Sequence, residues 1–467
     1  MWASFLTLIA AGMGFGVRGG ILADWGADFG FTMFELGKIT GGGLIGFGLV
    51  ILLASLFTDT LGYKTILMLA FVLHVLSLLV TLAATPLYAS AGKDGAFQCL
   101  FWGMLLFSIA NGLCEAVINP LISNIYPEKR THYLNILHAG WPAGLILGGV
   151  LGLLLVGKVR WEIPIALYII PVVWYGFLVL KEKFPESDVK KAGITYGQML
   201  AEFASPVLLM LLLLHACVGY VELGTDSWIT GITEMLTQQG FKLFIYASSI
   251  MFVLRFVAGP IVERINPLGL LCISSILGTA GLYMLGSAQT AVAAWVAVTI
   301  YGLGKTFLWP TMLGIIGERF PKGGAVTMGA IGGIGMLSAG FLGGPGIGYK
   351  QDRFASEHLR ENAKPTYERY QADEENGFLF FSKVRGLDGK KVGVLLDSPP
   401  AKTINEDYAK FAKANKDDGT KIPAEIADVK AWWDETGKDH AAADMKPVDE
   451  AKIEGGRMAL KLTAAVP

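Results

Sequence analysis

Asn111, Glu115 and Asn119 are polar residues within one long apolar stretch of the sequence, at positions i, i+4 and i+8. A helix places residues with this spacing on one face. Because a polar group in an apolar helix costs free energy, such a face usually meets a cavity or another helix. We expect Glu115 either to pair with a buried cation such as Arg18 or to carry a proton. Burial favours the protonated form of a carboxyl group, whereas a nearby cation favours its charged form.

Four other apolar stretches contain polar residues that a helix would bring together. The first stretch contains Arg18 among glycines, in GFGVRGG. The other three contain groups that would share a helix face: Asn135, His138 and Trp141 at i, i+3 and i+6; Glu222 and Asp226 at i and i+4, with Trp228 nearby; and Tyr301, Lys305 and Trp309 at i, i+4 and i+8. Simpler interpretations stay open for some of them. Arg18 could extend to a membrane interface, and His138 could be a packing residue. Glu222 and Asp226 could approach an outer surface.

Motifs of soluble enzymes are weak or missing in this sequence. The segment GLGKT at 302–306 is similar to the end of a phosphate-binding loop, but Thr299 stands where the first glycine of that motif belongs. The four cysteines lack zinc or redox spacing, and no nucleophile elbow occurs. We therefore expect a protein that is not an enzyme and that needs no cofactor or metal.

The composition indicates a membrane protein. Of the 467 residues, 53% are hydrophobic and 16% are charged, whereas a soluble domain averages about 25% charged residues. The net charge of −1 argues against nucleic acid as a partner. A spanning helix needs about 20 apolar residues, and the sequence predicts eleven such segments: 3–23, 36–57, 65–85, 97–125, 132–156, 162–181, 205–236, 243–262, 267–287, 290–316 and 323–348.

The chain becomes polar after the eleventh predicted span. Residues 349–454 form a predicted polar insert, in which FLFFSKV (378–384) and VGVLL (392–396) could be strands and 424–436 could be a helix. Residues 455–467 are apolar again and resemble the start of a twelfth helix that is cut off. The alternative is an odd number of spans followed by a soluble tail.

Basic residues favour one orientation in the membrane. Loops rich in Lys and Arg lie on the cytoplasmic side, and alternate loops of this sequence carry most of them, including Lys129, Arg130 and Lys181–Lys191. This bias predicts a multi-pass protein of the cell (inner) membrane with a cytoplasmic N-terminus. The 349–454 insert would then lie outside the cytoplasm.

Two pairs of segments indicate an internal repeat. SLFTDTLGYKTIL (55–67) aligns with GPIVERINPLGLL (259–271), and NPLISNIYPEKR (119–130) aligns with WPTMLGIIGERF (309–320). Both alignments map one set of six helices onto a second set. We predict an all-α membrane protein with a bundle at 1–181, a basic linker at 182–204 and a second bundle at 205–348. Repeats of this kind are typical of transporters, with the solute site between the halves.

The repeated loops resemble those of the major facilitator superfamily. SLFTDTLGYK is similar to the signature loop after the second helix of that family, although Thr60 stands where an arginine is usual, and RFVAGPIVERI is similar to the corresponding loop of the second half. The resemblance implies a 6+6 helix fold. It also implies gating roles for residues of the two loops: Asp59, Gly62, Lys64, Arg255, Glu263 and Arg264.

Within that superfamily, the segments GLCEAVINP (112–120), LNILHAGWPAG (134–144) and VGYVELGTDSW (218–228) resemble the fucose:proton symporter family. The resemblance implies that Glu115 takes up the coupling proton. His138 and Trp141 stand where that family places amides that bind sugar. Arg18 and Lys305 are unexpected cations, which could favour a sugar acid as solute or keep Glu115 ionised.

These patterns predict a monomeric transporter in the lipid bilayer that takes up a sugar, sugar acid or related polar solute together with a proton. Glu115 and Arg18 are the predicted coupling residues. The predicted solute ligands are Asn119, Asn135, His138, Trp141, Glu222, Lys305 and Trp309. Two alternatives remain open: a superfamily member that carries organic anions or drugs, and a non-transporting sensor that binds a ligand through the outer insert.

Overall fold

The first half of the protein contains six long helices. The computed structural model describes residues 1–29, 31, 33–41, 43–156, 158–418 and 422–467. The six helices are α1 (Trp2–Gly20), α2 (Gly43–Leu61), α3 (Tyr63–Leu82), α4 (Ala84–Ile125, broken at Gly92), α5 (Arg130–Leu155) and α6 (Glu162–Lys181). Two short helices, Leu22–Phe29 and Met33–Gly41, lie between α1 and α2.

The second half repeats this pattern after the short helices Asp188–Lys191 and Tyr196–Ala201. Its helices are α7 (Pro206–Thr237), α8 (Gly240–Arg255), α9 (Ala258–Ser287, broken at Asn266), α10 (Ala291–Arg319), α11 (Pro321–Asn362) and α12 (Lys438–Thr463). Of the helices in the described ranges, nine are long and apolar enough to cross a membrane, namely α2–α7 and α9–α11. The two remaining predicted spans form α1 and the shorter α8.

The helices approach one another closely where glycine replaces a side chain. A Cβ at Gly12 of α1 would lie 2.3 Å from the carbonyl oxygen of Trp141 in α5. A Cβ at Gly219 of α7 would lie 2.0 Å from the carbonyl oxygen of Gly335 in α11. Between the two halves, α2 packs along α11. Small residues at such crossings let helix backbones come together in a membrane, and this packing confirms the predicted two-bundle, all-α fold.

The predicted boundaries of the polar insert fall inside helices. Residue 349 lies within α11, which continues to Asn362, and residue 455 lies within α12, which begins at Lys438. Between them, the described residues form the helices Lys364–Tyr370, Gly389–Leu396, Lys402–Asp418 and Ala424–Trp432, the last of which continues to Gly437. The predicted helix at 424–436 is confirmed.

The two predicted strands of this region are wrong. VGVLL lies in the helix Gly389–Leu396, because Oδ1 of Asp388 accepts hydrogen bonds from the main-chain N–H groups of Lys390 and Lys391 and so caps the helix. FLFFSKV forms turns and one isolated bridge, between Asn376 and Val384. The region has its own apolar core, which includes Leu359, Tyr370, Trp433 and Val448.

Candidate solute site

A chain of hydrogen-bonded side chains starts at Glu115 in the interior of the first half. Glu115 Oε2 accepts a hydrogen bond of 2.6 Å from Asn119 Nδ2, one turn further along α4. Asn119 Oδ1 in turn lies 2.9 Å from His138 Nε2 on α5. All three residues are buried. The spacing that predicted one polar face on each helix therefore brings the two faces into contact with each other.

Arg255 joins this chain to the second half. Its Nη1 donates to the main-chain carbonyl of His138 at 2.7 Å, and its Nη2 donates to Glu222 Oε1 at 3.0 Å. The Nε of Arg255 donates a third hydrogen bond, of 2.8 Å, to the main-chain carbonyl of Thr306. Arg255 and Glu222 have side chains only 1% and 4% exposed, so this ion pair is buried. One guanidinium thus connects α8 with α5, α7 and α10.

A second ion pair lies near the first. Lys305 Nζ is 2.5 Å from Asp226 Oδ1, and the lysine side chain is 1% exposed. Lys305 also lies 5.2 Å from the centre of the Tyr301 ring. The second half therefore contains two buried cations and two acids that neutralise them. The sequence left open that Lys305 keeps Glu115 ionised, whereas the carboxylate with which Lys305 pairs is that of Asp226.

Several buried polar atoms around these pairs have no hydrogen-bond partner among the described residues. They are Glu222 Oε2, Asn135 Oδ1, Trp309 Nε1, Thr225 Oγ1, and both ring nitrogens of His215. An unpaired buried polar atom costs about 1–3 kcal/mol. Such atoms in a native structure point to a missing partner, such as water or a ligand. The set contains both donors and acceptors.

Aromatic surfaces lie beside these atoms. The rings of Trp309 and His215 are 4.5 Å apart between centres, and Trp141 packs against Phe15 at 5.6 Å. His215 was not among the predicted site residues, although an ionisable residue in the apolar segment LLLLHACVG was a sufficient signal for a functional position. Thr311 was not predicted either, and its Oγ1 lies 3.4 Å from Nδ2 of the predicted ligand Asn135.

Arg18 does not pair with Glu115, which was one of the two alternatives that the sequence left open for Glu115. Its guanidinium carbon lies 3.9 Å from the centre of the Phe107 ring and 5.2 Å from that of Tyr168. Its hydrogen bonds go to the Gly14 carbonyl at 3.2 Å and to Ser77 Oγ at 3.4 Å. Cation–π contacts of this kind stabilise a buried guanidinium without a carboxylate.

The predicted gating residues of the first half lie at one end of the bundle. Asp59 Oδ2 accepts a hydrogen bond of 3.1 Å from the main-chain N–H of Ala325, at the start of the α11 segment Gly324–Ser338. Gly62 has φ 83°, which turns the chain between α2 and α3. Lys64 Nζ donates to the carbonyl groups of Leu180 and Glu182 at 2.8 and 3.1 Å. Asp59 therefore bridges the two halves.

The predicted gating residues of the second half do not stay together. Glu263 and Arg264 are exposed, and Glu263 lies 3.6 Å from Lys129. Arg255, the last residue of α8, is instead buried in the bundle interior, where it pairs with Glu222, whereas Glu263 and Arg264 lie in α9. Further contacts between the halves join Arg130 Nη1 to the Gly317 carbonyl and Thr131 Oγ1 to Glu318, both at 3.0 Å.

The fold is similar to that of known transporters. FucP, the E. coli fucose:proton symporter, is 16% identical over 75% of this chain and 92% of its own, with a TM-score of 0.61. The proton:xylose symporter XylE is 15% identical over 77% and 89%, with a TM-score of 0.64. The human organic anion transporter MFSD10 is 16% identical over 73% and 91%, with a TM-score of 0.55. A comparison with curated proteins finds no match.

A sequence model of one protein family covers most of the chain. The model of the Major Facilitator Superfamily matches residues 4–344, which include α1–α10 and most of the membrane part of α11. The Asp59 contact between the two halves and the polar chain at their boundary lie within this range, whereas α12 lies beyond it. The protein is therefore a multi-pass membrane transporter that belongs to the major facilitator superfamily.

Proposed function

We propose that the protein takes up a neutral, hydroxyl-rich solute such as a sugar, together with a proton, by alternating access. The observation that carries this proposal is the hydrogen-bonded chain from Glu115 through Asn119 and His138 to Arg255 and Glu222. It crosses the boundary between the halves, where a solute must bind if each half is to respond to it. Sugar:proton symporters are among the proteins of similar fold.

The charges around the site support a neutral solute. Arg255 pairs with Glu222, and Lys305 pairs with Asp226, so neither cation is left for an anionic solute. The unpaired donors and acceptors beside them can bind hydroxyl groups, which both donate and accept. The indole of Trp309, whose plane is tilted by 60° to the His215 ring, offers an apolar face for a sugar ring. In this proposal the solute ligands are Asn119, Asn135, His138, Trp141, Glu222 and Trp309, with His215 added.

Glu115 supports the proton-coupled mechanism. It is 4% exposed, forms no ion pair with a described residue, and is held by the amide of Asn119. Burial without a cation partner favours the protonated carboxyl group. Loss of that proton would leave a buried negative charge without a salt-bridge partner among the described residues. Protonation of Glu115 and solute binding would thus be coupled through the same polar chain.

Uptake into proteoliposomes tests the proposal. Radiolabelled neutral sugars are expected to accumulate when the lumen is more alkaline than the medium, and accumulation is expected to stop when the gradient is abolished. Glu115→Gln should abolish accumulation yet leave exchange of solute between the two sides. Glu368→Gln removes an exposed acid far from the bundle interior and serves as the matched control. Sugar uptake that is independent of the pH gradient would contradict proton coupling.

An organic-anion transporter is the second candidate, because Arg18 is a buried cation without a carboxylate partner in the described part of the chain. If sugar acids or other carboxylates compete for uptake and neutral sugars do not, this candidate replaces the first. We further propose that the protein acts as a monomer in the cell (inner) membrane, with a cytoplasmic N-terminus and with the region between α11 and α12 outside.

A further inference from the structure

A cavity of about 340 Å³ lies outside the helical bundle, between the far end of α11 and the segment 371–387. Two isolated bridges, Gln371 with Leu387 and Asn376 with Val384, fold this segment back on itself. Tyr349 Oη donates to the Ser382 carbonyl at 2.7 Å and so fixes the segment to α11. The volume is within the range of pockets that bind small molecules.

One wall of the cavity is a single face of α11. Arg353, Ser356, Glu357 and Arg360 follow at i, i+3, i+4 and i+7, so their side chains project in the same direction. The other residues that line it come from beyond α11: Tyr367, Gln371, Glu375, Ser382, Lys383, Val384 and Arg385. Four cationic and two acidic residues line the cavity, which leaves an excess of two positive charges.

The excess charge resides on two residues. Arg353 pairs with Glu357 at 2.9 Å, and Arg385 lies 4.0 Å from Glu375. Arg360 and Lys383 form no ion pair with any residue in the described ranges. Exposed cations are often simply solvated. Here, however, they stand on opposite walls of one cavity, where a single anion can contact both.

Ser356 provides an independent indication of a ligand. Ser356 is 4% exposed and is one of the residues that line the cavity, and its hydroxyl has no hydrogen-bond partner among the described residues. Serine in a helix commonly bonds to the carbonyl four residues earlier, as Ser108 does to Met104 at 3.1 Å. The free hydroxyl of Ser356 lies between the helix positions of Arg353 and Arg360, so it can donate to an oxyanion that they attract.

We propose that this cavity binds a small soluble oxyanion with hydroxyl groups, such as a sugar acid or a sugar phosphate. Arg360 and Lys383 bind the oxyanion, Ser356 donates to it, and Gln371 and Tyr367 bind the hydroxyl groups. The cavity is roughly 40 Å along α11 from the Asp59 contact, given 1.5 Å per helical residue. It is therefore separate from the proposed solute site and at the opposite end of the bundle from the contacts of Asp59.

Isothermal titration of the purified full-length protein in a neutral detergent tests this proposal. The probes are glucuronate, glucose 6-phosphate, inorganic phosphate and, as a neutral comparison, glucose. We expect glucuronate or glucose 6-phosphate to bind, glucose not to compete, and the affinity to fall as salt is added. The variant R360Q/K383Q should weaken binding at least tenfold. Ser356→Ala should also weaken it by about tenfold or more, because a hydrogen bond to a charged group is lost.

The control K364Q/K446Q removes two other charges from the same region, since these lysine side chains are 72% and 83% exposed and lie outside the cavity. Its binding should stay within twofold of the parent protein. Equal losses in both double variants would overturn the proposal, because they would indicate a general charge effect. Absence of binding by all three anions would overturn it too. So would a site that binds phosphatidylglycerol, from which none of the three soluble anions displaces the lipid. Thermal melting of each variant establishes that it is folded.

Discussion

The guanidinium of Arg255 reaches the main-chain carbonyl of His138 at 2.7 Å while it pairs with Glu222 at 3.0 Å. One side chain thus connects the two halves of the protein and neutralises a buried acid. Movement of the halves would break the first contact and leave the second intact. The pair can therefore stay neutral while the connection between the halves opens.

Removal of one partner from the Arg255–Glu222 pair should destabilise the protein more than removal of both. Arg255→Met leaves Glu222 as an unpaired buried acid, which costs about 3–5 kcal/mol, whereas replacement of both charges by apolar groups is often nearly neutral. We expect the melting temperature in detergent to fall strongly in Arg255→Met and to recover in R255M/E222M. Both variants should lose transport. A double variant as unstable as the single one would show that the unpaired charge of Glu222 is not the cause of the instability.

Asp59→Asn should weaken the contact between α2 and the start of the α11 segment Gly324–Ser338. The carboxylate caps the main-chain N–H of Ala325 and interacts with the positive end of the helix; loss of the charge costs about 1 kcal/mol. The conformation that is closed at this end should become less populated. In a background without the four native cysteines, labelling of Ser123→Cys measures the opening, since Ser123 is buried beside Gly317 in the closed form.

We expect that labelling to become severalfold faster in Asp59→Asn. Thr60→Ala is the matched control, because Thr60 is the next residue and, within the described part of the chain, its hydroxyl bonds only to the carbonyl of Phe57. Unchanged labelling in Asp59→Asn would show that the cap does not hold this end closed.

The positions of the membrane helices could be predicted because an apolar run of about 20 residues has few alternatives in a protein of this composition. The partners of the buried charged residues could not be predicted, because these partners depend on how each helix is rotated within the bundle. Glu222 and Asp226 share one face of α7, yet they pair with cations from two different helices, α8 and α10. From the sequence, Arg18 could equally have packed beside Glu115. In the structure its guanidinium instead lies over the rings of Phe107 and Tyr168.

The polar region between α11 and α12 was the least predictable part. A run of five apolar residues such as VGVLL fits a buried strand or a turn of helix equally well. The cap by Asp388 favours the helix Gly389–Leu396, but a capping residue can be recognised in a sequence only when the start of the helix is known. The end of α11 was missed for a different reason: the helix continues as a polar segment beyond the apolar run, so hydropathy alone places its end about fourteen residues too early.

Asp444→Asn should loosen the polar region without unfolding the bundle. Asp444 is fully buried, accepts a hydrogen bond of 2.8 Å from Arg369 Nε and one of 2.7 Å from Thr366 Oγ1, and pairs with Arg369 Nη2 as well. The bond to Asp444 raises the pKa of Arg369, which therefore stays charged. Loss of the carboxylate should cost about 3 kcal/mol locally.

Limited proteolysis measures this local effect. Cleavage within 364–437 is expected to become at least tenfold faster in Asp444→Asn, while the melting temperature of the bundle stays within a few degrees. Asp449→Asn removes an exposed acid from the same helix and should leave the cleavage rate unchanged. Equal cleavage of both variants would show that the Asp444–Arg369 pair does not stabilise the region.

Gly219→Ala should prevent the close packing of α7 against α11. A Cβ at this position would lie 2.0 Å from the carbonyl oxygen of Gly335, which is main chain and cannot rotate away, so the two helices must separate. Overpacking of this kind typically costs about 1–3 kcal/mol. Gly231→Ala on the same helix is the control, because nothing lies within 4 Å of its Cβ, and it should stabilise α7 by about 0.5–1 kcal/mol. The two variants should therefore shift the melting temperature in opposite directions, and a fall of the same size in both would mean that the contact between α7 and α11 is not tight.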